Sequence, residues 1–399
     1  MFGFDEVIDR SNTNALSVEG YGEYLFGKKS CGQQCIDDGL IRMWIADMDF
    51  ATPHFVLDAI KERLDRKILG YSMIFDQDYH EAFNSWLKKR CDWQVEPEYL
   101  QPSPGIVPAL HDLVSLLTKE GDKILILTPS YGPFQKAVLE SNRRLVCSDL
   151  IEADGNYTIN YGQIEKIIED QRVTMFIFCH PHNPTGRLWS EEELVELGKM
   201  LASKDIWIIS DEIHCDLLRS GKTHLPFGKV LPGYSRIITC MSPSKTFNMA
   251  GMMLANIIIP DPKARALWQK KNGGLVNPLA IAGVKAAYSQ GEDYLASLKS
   301  YLDGNFELLD AYLKANLPQV GFTIPEATYL AWLDLSFYLD GTKGYIGLEL
   351  ANQAGILVES GRMFVQNGDN HIRLNLAVPR EVLAAGLQRL GSYFNKIAK

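Results

Sequence analysis

The sequence predicts an α/β fold: a large domain with a mostly parallel sheet covered by helices on both faces, and a smaller C-terminal α/β domain. Three observations carry that prediction. Between about residues 95 and 260, short continuous apolar runs alternate with amphipathic stretches. Such runs suit strands buried on both faces, as in parallel sheets, whereas a half-exposed strand would alternate apolar with polar. After about residue 275 the pattern changes to a long helical region over 278–316, then to a second, shorter series of strands and helices. Finally, 399 residues are too many for one ordinary core. The expected division is an arm over 1–50 packed with the small domain, a large domain over 51–285 and a small domain over 286–399.

Taken in order, the arm is rich in Gly, Asn and Asp and is expected to hold little regular structure. Gly20-Tyr21-Gly22 looks like part of a dinucleotide loop, but no strand precedes it and the third glycine is misplaced. The arm ends in an apolar stretch, Met43 to Phe50, punctuated by Asp47 and Asp49. Thr52 as N-cap and Pro53 at the first helical position open a helix to about residue 67, and a second helix covers 78–89. Ser103 to Ala109 leads into an amphipathic helix ending near Thr118. A strand over 123–128 is turned by Pro129 and Pro133 into the next helix, and a short strand follows at 145–147. The strand over 173–179 leads to a loop, His180 to Gly186, and Ser190 with Glu193 forms a capping box for a helix ending near Ser203. Strands over 206–210, 236–239 and 254–259 complete the large sheet. In the last domain, strands over 329–335, 356–359 and 371–376 precede a helix over 380–396.

Composition narrows the function. Hydrophobic residues make up 46% and charged residues 22%, the balance of a folded chain rather than a disordered one. A formal charge of -9 with no local Lys/Arg cluster excludes an ordinary nucleic-acid binder. No apolar run approaches a membrane span, and the first residues do not read as a signal peptide. The seven cysteines are scattered and odd in number, which fits reduced thiols in a cytoplasm. Cys31 and Cys35 are the only close pair, and without a second pair they are expected to be ordinary residues.

The chemistry concentrates where strands end. Asn183-Pro184-Thr185-Gly186 follows one strand, Asp211-Glu212-Ile213-His214 the next, and Ser242-Pro243-Ser244-Lys245 the third. Ligands of doubly covered sheets sit beyond the carboxyl ends of the strands, so these loops converge. A lysine beside hydroxyls at such an end can form a Schiff base with an aldehyde and help hold an anion. Arg373 lies in an apolar strand of the last domain. Singly, each feature has a plain reading as a turn, a helix cap or a structural ion pair. Their order and location together point to one site.

These motifs resemble those of a fold-type I pyridoxal-phosphate enzyme of the class I/II aminotransferase family, across essentially the whole chain. Within it, Ala46 to Thr52, Gly70-Tyr71-Ser72, Ser210 to His214 and Ala327 to Leu335 look like the cystathionine β-lyase branch of MalY/PatB-type C–S lyases. The resemblance implies an aspartate aminotransferase-like fold. It also implies that Lys245 holds pyridoxal 5'-phosphate as a Schiff base and then serves as general base and acid. Asp211 would pair with the ring nitrogen, Asn183 and His214 with the phenolic oxygen, and Tyr131 would stack on the ring. The phosphate would rest on the N–H groups of Ile106 and Val107 after Gly105, with Ser242 and Ser244 adding hydroxyls and Tyr71 reaching in from a second subunit of a homodimer. Arg373 would clamp the substrate carboxylate.

Two positions depart from the commoner aminotransferase pattern: Met253 stands where many members have arginine, and His214 where many have tyrosine. The C–S lyase branch shares both. Asp47, Tyr329 and Gly361 to Phe364 are further candidates for the substrate side, whereas Trp332 and its neighbours read as core. His180 and His182 lack a carboxylate at metal-ligand spacing, so no metal is expected and solvent or cofactor-rim roles are. The resemblance implies β-elimination on cystathionine or cysteine S-conjugates, giving a thiol, pyruvate and ammonia. An aminotransferase shares the first steps and is the alternative. A non-catalytic regulatory or binding protein is opposed by the intact Lys245, Asp211, Asn183 and Arg373.

Overall fold

The structure, a computed structural model, describes residues 2–27, 39–339 and 345–397. Cys31 and Cys35 lie outside the described residues. In chain order the strands are β1 (Ile41–Arg42), β2 (Leu100–Ser103), β3 (Lys123–Thr128), β4 (Arg144–Asp149), β5 (Ile151–Ala153), β6 (Asn156–Thr158), β7 (Val173–Cys179), β8 (Trp207–Asp211), β9 (Ile237–Met241), β10 (Ala255–Ile258), β11 (Leu330–Asp334), β12 (Ile356–Leu357), β13 (Glu359–Ser360) and β14 (His371–Asn375). Seven of them form one sheet in the order β2-β10-β9-β8-β7-β3-β4. The β9, β8, β7, β3 and β4 strands are parallel neighbours, and β10 runs against both β2 and β9.

Alternate residues of these strands serve opposite layers. Ile124 and Ile126 of β3 join Leu110, Phe134 and Trp268 on one face. Leu125 and Leu127 join Ile164, Leu194 and Leu197 on the other. Each such side chain contributes about 1.5–3 kcal/mol by leaving water, which is why both faces of the strands read as apolar. The helices behind those contacts are Ile106–Leu117, Gly132–Glu140 and Pro262–Asn272 on the first face, with Tyr161–Gln171 and Glu191–Ala202 on the second. The Ser190–Glu193 capping box is present.

One local expectation needs correction. Thr52 does not cap the helix His54–Asp65, whose N-cap is Pro53; the Thr52 hydroxyl instead donates to the Asn248 carbonyl at 2.8 Å. The region over 278–316 is two helices, Pro278–Gln290 and Glu292–Asn316, separated at Gly291. A Cβ at Gly291 would lie 2.3 Å from the Phe247 ring, so close packing explains the glycine. The described part of the arm holds little regular structure, as expected: the short helices Leu16–Glu19 and Tyr21–Phe26 and the two-residue β1.

A second, three-stranded sheet has the order β11-β14-β13, and β1 pairs in parallel with β12. Phe306, Leu309, Ile356, Leu374 and Leu387 form its core. The helix Glu292–Asn316 serves both parts of the molecule, since Leu295, Leu298 and Leu302 pack in the larger part and Phe306 onward in the smaller. No described helix is long and apolar enough to cross a membrane.

Candidate active site

Strand register puts the motifs on one edge. Cys179 of β7 lies opposite Asp211 of β8, which lies opposite Cys240 of β9. The segments continuing to Asn183, His214 and Lys245 therefore leave the sheet side by side. The loop to Asn183 is held by Gly186, whose φ is +70 and where an added Cβ would lie 2.3 Å from Pro325 and 2.9 Å from the Ala327 carbonyl, so no side chain fits. The resulting cleft has a volume of about 770 Å³ and is lined by every expected residue except Tyr71, Tyr329 and the segment Gly361 to Phe364.

Lys245 reaches into the cleft, and its ammonium donates to the Ala46 carbonyl at 2.5 Å. Burial lowers its pKa, opposed by Asp47, so the free amine becomes easier to populate. Asp211 is 5% exposed and accepts from the Ile213 amide at 3.2 Å. Burial pushes its carboxyl up to about 7, opposed by that hydrogen bond. Its sequence neighbour Glu212 turns the other way and accepts from His224 at 2.6 Å, Ser210 at 2.8 Å and the Phe227 amide at 2.9 Å. The Asp-Glu pair thus divides into one group for the cleft and one for the scaffold.

His214 is buried, and burial lowers its pKa to about 3, leaving a neutral ring. Its Nδ1 has no hydrogen-bond partner. Asn183 accepts on Oδ1 from Arg373 at 3.0 Å. A guanidinium only donates, so the Asn183 NH2 is left as a donor. Tyr131 borders the cleft with its phenol kept neutral by burial. The helix Ile106–Leu117 begins at Gly105 with no side-chain cap, and Gly105, Ile106 and Val107 all face the cleft. First-turn N–H groups lack intrahelical partners and suit an anion. Ser244 lines the same end; the Ser242 hydroxyl donates to the Leu254 carbonyl at 3.1 Å and is committed there. Met253 is 59% exposed at the same rim and supplies no charge.

The opposite wall comes from β14 and the loop after β1. Arg373 is 2% exposed, donates to the Trp44 carbonyl at 3.2 Å and lies over the Phe364 ring at 5.2 Å. Asn375 donates to the carbonyls of Ile45 at 2.8 Å and Asp47 at 2.6 Å, while Asn248 donates to those of Met48 at 2.9 Å and Phe50 at 2.6 Å. Held at both ends, the loop presents the Ala46 carbonyl to Lys245. Asp47 faces the cleft, paired with Arg10 at 2.6 Å.

Several candidates sit elsewhere. Tyr329 is fully buried behind the wall, where its hydroxyl donates to the same Ala46 carbonyl at 3.0 Å. Tyr71 is 96% exposed and does not line this chain's own cleft. Phe364 braces Arg373, but Gly361 to Phe364 do not line the cleft. His180 and His182 have neither solvent nor rim roles: both are buried, bound to the Leu225 carbonyl at 2.9 Å and the Thr185 hydroxyl at 2.8 Å. Trp332 is core, stacked on His371.

The family described as aminotransferase class I and II matches residues 39–390. The chain belongs to that family. Among its members, cystathionine β-lyase PatB of Bacillus subtilis is 37% identical over 97% of this chain and 98% of its own length. Protein MalY of Escherichia coli is 30% identical, with 98% of each chain covered. The crystal structure of the PLP-bound C–S lyase from Staphylococcus hominis matches with a TM-score of 0.94 and 47% identity over 98% of each chain. The aspartate aminotransferase-like fold of this family accounts for the large, mostly parallel sheet and for its ligand edge.

Within this family member, sequence reasoning missed Glu359, Arg10, Asn248 and Asn375. Glu359 had one readable signal, a lone carboxylate in the apolar run Gly355 to Ser360. The other three act through tertiary hydrogen bonds and carry no local pattern.

Proposed function

We propose that this chain is a pyridoxal-phosphate-dependent C–S β-lyase, cleaving cystathionine or related cysteine S-conjugates to a thiol, pyruvate and ammonia. The observation that carries the reading is the single cleft uniting Lys245, Asp211, His214, Asn183 and Arg373, in a chain matched over its full length by relatives named cystathionine β-lyase and C–S lyase. The residues fit the cofactor: an uncapped helix start for a phosphate, a buried acid for a ring nitrogen, and the donor of Asn183 with the unpartnered Nδ1 of His214 for a phenolic oxygen.

When bound, pyridoxal phosphate supplies an aldehyde for imine exchange and an electron-withdrawing ring. Lys245 would hold it covalently and, once the incoming amine takes its place, its freed Nζ would take the α-proton. The same ammonium then passes a proton to the departing sulfur. Asp211 would hold a proton at the ring nitrogen, an interaction worth more in its water-excluded position than in solvent. Arg373 fixes the α-carboxylate and so aims the Cα–H bond at Lys245. Asn183 orients Arg373 on one side and keeps its NH2 for the cofactor on the other.

The working unit is read as a homodimer. Tyr71 projects from a patch with Ile68, Leu69 and Phe75, all more than half exposed in the single chain, and would serve the partner's cleft. A cytoplasmic setting fits the unpaired cysteines among the described residues. The deciding experiment supplies L-cystathionine to the pyridoxal-phosphate-loaded protein. Equal amounts of pyruvate and homocysteine are expected; turnover that needs a 2-oxo acid and releases no pyruvate would make it an aminotransferase instead.

A further inference from the structure

Glu359 and Arg373 stand directly opposite each other on β13 and β14. Sheet register, rather than a flexible side-chain choice, brings this carboxylate to the guanidinium. The two form an ion pair with side chains 7% and 3% exposed, and both line the cleft. Arg373 also donates to Asn183 and to the Trp44 carbonyl, and its Nε has no partner. The group expected to receive a substrate's α-carboxylate is therefore already occupied by a carboxylate of the chain.

We propose that Glu359 is a positioning residue that occupies Arg373 in the substrate-free cleft, and that an amino acid's α-carboxylate binds by displacing it. The proposal rests on the reading of the cleft as an amino-acid site. Its physical content is charge balance. One guanidinium cannot compensate two buried carboxylates, and a displaced, ionised Glu359 has no second cation beside it except Lys245, which is engaged at the Ala46 carbonyl. The other titratable groups near Glu359 are Tyr24 on the helix Tyr21–Phe26, Tyr131 at the start of the helix Gly132–Glu140 and Tyr345 before the helix Ile346–Ala354. Burial raises all three phenols and keeps them neutral, and a phenol in either state supplies no positive charge. Taking a proton from solvent onto Glu359 resolves the imbalance. Burial already raises its pKa, and Arg373 is the main opposing influence; diverting Arg373 to the ligand removes that opposition. Binding thus consumes one carboxylate ligand and one proton, and the free cleft keeps its arginine from stray anions.

The sign follows directly. The complex holds more protons than its separated parts, so affinity falls as pH rises. The probe is L-alanine, which carries the α-carboxylate and no β leaving group, titrated into the holoenzyme by calorimetry and by cofactor absorbance. Relative to the unaltered enzyme, Glu359→Gln should bind L-alanine roughly tenfold tighter at about pH 8.5, with a flatter pH dependence and about one proton fewer taken up. Weaker binding, or an unchanged proton count, would overturn the proposal and leave Glu359 as a brace for Arg373. Should the glutamine variant not fold, Glu359→Asp decides. Its shorter side chain loosens the pair, so tighter binding with the pH slope retained is expected, and unchanged or weaker binding overturns the idea. Failure of the lyase reading shows separately, as absent pyruvate from cystathionine in an enzyme that still binds alanine. No alanine binding at all overturns the proposal, while the cystathionine assay still decides the lyase reading.

Discussion

The two walls of the cleft are built on opposite plans. On the sheet wall, Asn183, Asp211, His214 and Lys245 leave the ends of adjoining parallel strands, and their groups are short of partners: Asp211 has one backbone donor, and His214 Nδ1 has none. On the facing wall, groups arrive already matched, with Arg10 on Asp47 and Glu359 on Arg373. Buried groups left unsatisfied in a rigid frame are suited to a resident cofactor, which completes them once. Groups already paired are suited to a ligand that comes and goes, because each exchange leaves no charge bare for long. The difference separates chemistry from recognition, and substitutions on the two walls should fail in different ways.

The largest effects belong to the sheet wall. Lys245→Ala should lower pyruvate release by roughly 10³-fold or more, as expected for a group serving as attachment point, base and acid. Near wild-type turnover in a pyruvate assay would remove Lys245 from the mechanism. Asp211→Asn should cost roughly 10²-fold in kcat, the size of a lost preorganised electrostatic partner. Stability should move the other way in the cofactor-free protein. The Asp211 carboxyl is pushed up to about 7 from 3.8, so its contribution is fully present below the unfolded value and is lost as pH rises through about 7. Ionising it in the folded apo state therefore costs up to roughly 4 kcal/mol. Cofactor-free Asp211→Asn should melt higher than the unaltered apo protein at about pH 8, and the advantage should vanish on loading pyridoxal phosphate. A higher-melting unaltered apo protein at that pH would contradict the unpaired-acid account.

The same division explains what is legible in the sequence alone. The sheet wall was legible because parallel strands buried on both faces leave unmistakable apolar runs, and the polar residues that end them are conspicuous. Asp211 and Lys245 announced themselves this way. The facing wall was legible only at Arg373 and Asp47. Glu359 belongs to the same antiparallel pairing, yet nothing local says that a glutamate in an apolar run meets an arginine rather than water. Asn248 and Asn375 work by gripping a loop some two hundred and three hundred positions earlier, respectively, which no window of sequence contains. Thr52 shows the same limit from the other side: its capping signal was sound, but the Asn248 carbonyl competed for the hydroxyl. The helices Tyr161–Gln171 and Pro262–Asn272 carried usable cap signals in Asn160 and in Asp261 with Pro262, and were passed over.

Smaller effects are expected on the recognition wall. Arg373→Lys keeps the charge beside Glu359 but loses the planar fork that holds a carboxylate at two points. KM for cystathionine should rise roughly tenfold with kcat changed much less, since the lost interaction is made in the ground state as well as the transition state. A fall in kcat alone would instead place Arg373 in the chemistry, and the distinction between the walls would fail.

The mildest test lies behind that wall. Tyr329 touches neither cofactor nor substrate space, yet its hydroxyl and the Lys245 ammonium converge on one carbonyl, that of Ala46. Thr328, at φ 71 in the left-handed region, sets the ring's entry and is pinned there by Arg219, which donates to its carbonyl at 2.6 Å. Tyr329→Phe removes a single hydrogen bond, worth about 0.5–1.5 kcal/mol. The carbonyl keeps Lys245 as its donor, so the fold should persist with a melting point only slightly lowered. Losing the second donor frees the carbonyl to draw the ammonium more strongly, which disfavours the neutral amine. The alkaline shift of the rising limb in the pH profile of kcat, which reports groups of the substrate complex, is the diagnostic readout. An unchanged profile would make Tyr329 ordinary packing, whereas a shift would show that the recognition wall also sets the protonation of the lysine across the cleft.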